Sequence, residues 1–133
     1  MEESIFAKIV KGEIPCHKVY EDDKTLAYLD IYPKNTGQTL VIPKLQPSEF
    51  VWDLDDDIYT AVMQTSRKVA LRLREILPEK YVHMAIVGTD VPYAHVHLIP
   101  FNVTADLHSG KGEGADPDHE GLAALAAKLR FDD

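Results

Sequence analysis

The stretch Tyr93-Ala94-His95-Val96-His97-Leu98-Ile99 carries a ring-bearing polar residue at every second position, with small or apolar residues between. Side chains of an extended strand alternate between its faces, so Tyr93, His95 and His97 share one face and Ala94, Val96 and Leu98 the other. Imidazole is nucleophilic and titratable near neutral pH, so two side by side suit nucleophilic attack, proton transfer or metal ligation. The pair alone does not choose among these, nor exclude an ordinary half-exposed strand face. Asp30, shortly before Pro33, offers a carboxylate, and its short side chain would equally serve to open a turn.

Positioning these residues requires a sheet and something to pack against it. Five β-rich runs, at 18–21, 25–29, 37–42, 82–87 and 95–99, are separated by turn-forming residues and predict one antiparallel sheet. Ser4 and Gly12 read as the N-cap and left-handed stop of a short helix that turns Ile5, Phe6 and Ile9 inward. From 55 to 77, Ile58, Val62, Val69, Leu73 and Ile76 recur at helical spacing, Asp53 or Asp55 can cap the start and Pro78 marks the end. Met63 and Leu71 add apolar groups on further faces of this helix, as association with a second copy would need. Residues 102–116, with Gly110, Gly112 and Gly114, read as a mobile surface loop. A last helix follows, with Pro117 at its first position and Leu122, Leu125 and Leu129 on one face. The fold class is α+β: a five-stranded antiparallel sheet, one long helix and short terminal helices in a single domain over 1–133.

Bulk properties narrow the partners. A chain of 133 residues with a net charge of −8 repels phosphate backbones over most of its surface, which excludes nucleic acid polymers. A small nucleotide remains possible, because a local pocket of amides and imidazoles binds one phosphate group whatever the global field. No apolar run approaches the roughly 20 residues of a membrane span, and the acidic start is unlike a signal peptide. Cys16 is the one cysteine, so with no export segment the expected compartment is the cytoplasm. Cys16 itself reads as an inert small residue, His17 and His83 as structural, and His108 and His119 as solvated. The acidic run at 53–57 reads as charge complementing a helix dipole.

The segment Val91-Pro92-Tyr93-Ala94-His95-Val96-His97-Leu98-Ile99-Pro100 resembles the signature of the histidine triad family. The resemblance runs through Ser4-Ile5-Phe6-Ala7-Lys8-Ile9, Gly12-Glu13-Ile14-Pro15, Leu26-Ala27-Tyr28-Leu29-Asp30-Ile31 and Thr39-Leu40-Val41-Ile42-Pro43-Lys44, covering roughly residues 4–101. It implies a homodimer and a site that cleaves a bond at the α-phosphorus of a purine nucleotide conjugate, a phosphoramidate or dinucleoside polyphosphate of AMP or GMP. His95 matches the family's nucleophile and would form a nucleotidyl-histidine intermediate that water resolves. His97 would donate to a non-bridging phosphate oxygen. Asp30 matches the carboxylate that accepts from the ribose hydroxyls, and Phe6, Ile9, Ile14 and Ile31 fall where the family lines its base pocket.

The sequence also departs from that family. Tyr93 stands at the first triad histidine, and a phenol titrating near 10 cannot do acid and base work at neutral pH. Gln38 replaces a histidine, keeping polarity without titration. A shortened 88–92 link leaves Thr89 to contact phosphate, beside an Asp90 that would repel it. Ser4, Ala7, Gln46 and Tyr93 stand where many bacterial members carry zinc ligands, so no structural metal and no cofactor is expected. The alternative these changes open is a nucleotide-binding module with little or no turnover.

Overall fold

The computed structural model describes residues 5–45, 48, 50–86, 93–108 and 116–132. Strands β1 (Lys18–Glu21), β2 (Thr25–Leu29), β3 (Thr39–Pro43), β4 (Tyr81–Ala85) and β5 (Val96–Phe101) form one antiparallel sheet in the order β1-β2-β3-β5-β4. The long helix α2 (Asp56–Ile76) packs across one face, with α3 (His119–Leu129) beside it, and the short α1 (Ile5–Val10) serves the other face.

The two faces carry different cores. Val19, Ala27, Leu29, Val41, Val96 and Leu98 meet Val62, Val69 and Leu73 of α2 and Leu129 of α3. On the opposite face Leu26, Tyr28, Leu40 and Ile42 join Phe6 and Tyr93 in a smaller cluster. Because both faces of β2 and β3 are covered, every residue of these strands is buried, and apart from Thr25, Thr39 and the Tyr28 hydroxyl their side chains are apolar on both faces. Thr25 and Thr65, the polar exceptions between β2 and α2, satisfy each other through their hydroxyls at 2.7 Å.

Several boundaries differ from the sequence reading, each for a local reason. The fifth strand begins at Val96 instead of His95, because the Ala94 amide donates to Ser48 O at 2.6 Å and so leaves the ladder. The third begins at Thr39, since Gly37 sits at φ 95° and the Gln38 amide closes a turn onto Asn35 O. Ile76, expected in the core, is exposed; Leu77, the C-cap residue of α2, packs there instead. Ile5 is exposed as well, so α1 buries Phe6 alone. The predicted Gly12 stop is present as a Schellman ending, with Glu13 N donating to Lys8 O and Gly12 N to Ile9 O.

Pro117 precedes α3 and is not its first residue. Asp118 is the N-cap, its Oδ1 accepting from Gly121 N at 3.0 Å, so the helix starts at His119. The segment read as a loop from 102 begins with a 3₁₀ turn, Thr104–His108, fixed by Asp106 Oδ2 accepting the Asn102 and Val103 amides. Ser4, Gln46, the 88–92 link with Thr89, and residues 109–115 lie outside the described residues.

Candidate active site

His97 stands in β5, opposite Leu40 of β3 and Ala85 of β4. Val96 and Leu98 occupy the α2 face, so alternation turns His97 to the α1 face. His95, one residue before the strand, follows it there: the two rings lie 4.8 Å apart at 73°. The edge of Phe6 closes on His95 at 4.8 Å and on Tyr93 at 6.0 Å. Sequence alternation therefore placed all three of Tyr93, His95 and His97 on the correct side, although two of them precede the strand.

Hydrogen bonding fixes which nitrogen carries the proton on each imidazole. His95 Nδ1 lies 2.7 Å from Tyr93 O, and a carbonyl only accepts, so Nδ1 is the protonated nitrogen and the Nε2 lone pair is the nucleophilic one. For His97 the assignment passes through Gln38. The Lys34 amide donates to Gln38 Oε1 at 2.6 Å, which turns the Gln38 Nε2 amide toward His97 Nδ1 at 3.2 Å. An amide nitrogen only donates, so His97 Nδ1 accepts and its Nε2 carries hydrogen. Neighbouring rings thus hold opposite tautomers, one presenting a lone pair and the other an N–H.

Gln38 is 2% exposed, and its neighbour Gly37 delivers it from the turn into β3. In sequence Gln38 stands where the family has a histidine, keeping polarity without titration; in the structure its side chain orients His97. Replacing Gln38 by leucine removes the donor that His97 Nδ1 accepts from and is expected to release that tautomer. Imidazole nitrogen NMR of the variant, with His97 tautomers mixed, checks it; an unchanged tautomer would contradict the assignment.

Asp30 follows β2 and its amide donates to Gln38 O at 3.0 Å, which brings it alongside the turn that holds Gln38. Asp30 Oδ1 accepts the Tyr32 amide at 2.8 Å, so the turn-opening role is real. Phe6 and Ile9 belong to the smaller cluster beside the histidines. Ile14 and Ile31 are half-buried and are not counted in that cluster.

Tyr93 is 4% exposed, and its hydroxyl donates to Pro43 O at 2.7 Å. Burial pushes its pKa up to about 12, so it stays a neutral donor committed to that carbonyl. It stands in the wall behind Phe6 and His95. His95 itself is 1% exposed, more enclosed than a half-exposed strand face predicts, because β5 lies inside the sheet between β3 and β4 and Phe6 of α1 caps the ring. His83 lies against the edge of Phe101, and His17 pairs with His119 at 3.0 Å, joining the segment before β1 to α3. His119 is exposed, in keeping with a solvated position, and it also bonds His17. Among the described residues no group of three or more potential metal ligands occurs.

A five-stranded antiparallel sheet with a long helix on one face and paired histidines on the other is the arrangement of histidine triad proteins. The chain belongs to that family: the HIT domain matches residues 11–103. A HIT-like protein of Borreliella burgdorferi is 39% identical over 107 residues, covering 75% of this chain and 76% of that protein. An adenosine 5′-monophosphoramidase of Schizosaccharomyces pombe is 38% identical over 100 residues, 72% of each chain. The crystal structure of a Hit-like protein of Bartonella henselae superposes with a TM-score of 0.84 at 29% identity, covering 96% of this chain and 94% of that one.

Proposed function

We propose that the protein hydrolyses, or transfers the nucleotidyl group of, purine nucleotide conjugates by attack of His95 on the α-phosphorus. The observation that carries this reading is the pair of opposite tautomers at 4.8 Å. His95 Nε2 attacks phosphorus, and the bond to the leaving group breaks as that group takes up a proton from solvent water. The positive charge that forms on the His95 ring is held by the Tyr93 carbonyl at Nδ1–H. His97 Nε2–H donates to the non-bridging oxygen on which charge accumulates. Water then attacks phosphorus and gives up a proton to solvent, the P–N bond breaks with its electron pair returning to Nε2, and His95 is back in its starting tautomer.

Asp30 holds the ribose in this reading, and Phe6 and Ile9 face the base, so that binding fixes phosphorus in line with His95. Because His95 is enclosed, substrate enters by displacing Phe6. The helix carrying it, α1, has six residues and only Phe6 buried, and a helix so short gains little from its own hydrogen bonds. The monophosphoramidase relative supports the substrate class. The binding-only alternative rested on Tyr93, Gln38 and the shortened 88–92 link; the Tyr93 hydroxyl is engaged by Pro43 O and both tautomer assignments stand without it, while Gln38 itself orients His97.

The second copy in a homodimer would sit along β4. That strand is a sheet edge carrying exposed Tyr81 and Met84, and Leu71 and Ile76 of α2 are exposed as well. Met63, by contrast, packs on the core.

Incubation with adenosine 5′-phosphoramidate tests the function: release of AMP supports it. AMP binding without release from any purine conjugate would reduce the protein to a binding module.

A further inference from the structure

Every residue of the smaller cluster except one has a plain structural account. Phe6, Leu26, Leu40 and Ile42 are apolar, and the Tyr93 hydroxyl is satisfied by Pro43 O. Tyr28 is 4% exposed and its hydroxyl has no hydrogen-bond partner among the described residues. The half-buried Tyr20 hydroxyl elsewhere in the sheet donates to Asp22, as buried or partly buried phenols usually find an acceptor. Phenylalanine would fill the Tyr28 position with the same ring and no stranded polar atom. A hydroxyl retained there is therefore unexplained by folding.

Its place in the sheet relates it to the histidines. Tyr28 is opposite Leu40, and Leu40 is opposite His97, so the three form one row on one face. Two strand spacings set Tyr28 about 10 Å from His97. Asp30 lies two residues further along the same chain segment, and the edge of Phe6 meets the Tyr28 ring at 6.3 Å. A nucleotide with phosphorus at His95 and His97 and ribose at Asp30 would bring its base to Phe6 and Tyr28.

We propose that the Tyr28 hydroxyl is a specificity-determining group of this site, donating a hydrogen bond to an unprotonated ring nitrogen of the purine. This rests on the nucleotide reading above. Burial first, and then the nearby Cys16, Asp30 and Tyr93, raise the phenol's pKa, so it remains a neutral donor at any physiological pH. Such a donor needs an acceptor, which an apolar wall does not supply and a purine ring nitrogen does.

Tyr28→Phe separates this from a packing role, with folding checked by circular dichroism. Removing an unpartnered buried hydroxyl should leave the melting temperature of the nucleotide-free protein unchanged or raised, while AMP affinity falls about tenfold. Among deaza-AMP analogues lacking N1, N3 or N7, one should bind the unaltered protein about tenfold more weakly than AMP and show no such loss with Tyr28→Phe. AMP affinity equal to that of the unaltered protein would overturn the proposal, and so would a melting temperature lowered by several degrees. Failure of the unaltered protein to bind any nucleotide would instead remove the nucleotide reading on which it stands.

Discussion

Replacing His95 by asparagine lowers turnover of adenosine 5′-phosphoramidate by about 10⁴-fold or more, the scale on which loss of a covalent nucleophile is felt. Asparagine is the informative choice because its amide N–H can still donate toward Tyr93 O, as His95 Nδ1 does at 2.7 Å, so the local hydrogen bonding survives. What it lacks is a lone pair at the position of Nε2. AMP affinity is expected to stay within about threefold, since phosphate contact through His97 and the base pocket remain. Steady-state kinetics and calorimetric AMP titration of the same preparation separate the two quantities. Residual turnover within tenfold of the unaltered protein would assign the attack to another group.

Gly37→Ala is expected to be the most damaging small substitution outside the site. The residue has φ 95°, where an L side chain is strained by roughly 1–2 kcal/mol. A Cβ there would also meet Leu77 Cδ1 at 2.5 Å and Pro100 Cγ at 3.2 Å, and overpacking adds about 1–3 kcal/mol. The sum is a loss of about 2–5 kcal/mol, read from the urea midpoint. Gly12→Ala is the matched control: φ is 81°, yet nothing lies within 4 Å of its Cβ, so only the backbone strain applies. Equal losses in the two variants would contradict the packing account. Gly37→Ala should also reduce activity, because Gln38 reaches His97 from the turn that Gly37 makes.

The fold was largely legible because its signals are periodic. Helical spacing from Ile58 to Leu73 and alternation around Val96 and Leu98 each marked a face that the core then used. Where periodicity stopped, long-range contacts decided: Ser48 drew Ala94 out of the ladder, and Asp118 instead of Pro117 started α3. In the site, types and spacing marked His95 and His97, and the family resemblance added Asp30 and Gln38. They could not reveal that Gln38 sets a tautomer, because its bonds to Lys34 and His97 join residues 59 positions apart in the case of His97. Tyr28 was passed over because in sequence it is one more apolar-looking strand residue. Only its burial exposes the unpartnered hydroxyl. The enclosure of His95 was likewise invisible, since Phe6 reaches it from the other end of the chain.

The central claim is that an imidazole nitrogen of His95 becomes bonded to phosphorus. Rapid quenching of the protein with isotopically labelled adenosine 5′-phosphoramidate into base, followed by peptide mass spectrometry, looks for that bond. The account predicts one adenylyl group on the peptide bearing His95, stable in base and lost in acid, absent from His95→Asn. A label on any other side chain, or hydrolysis with inversion at phosphorus and no adduct at all, would contradict it.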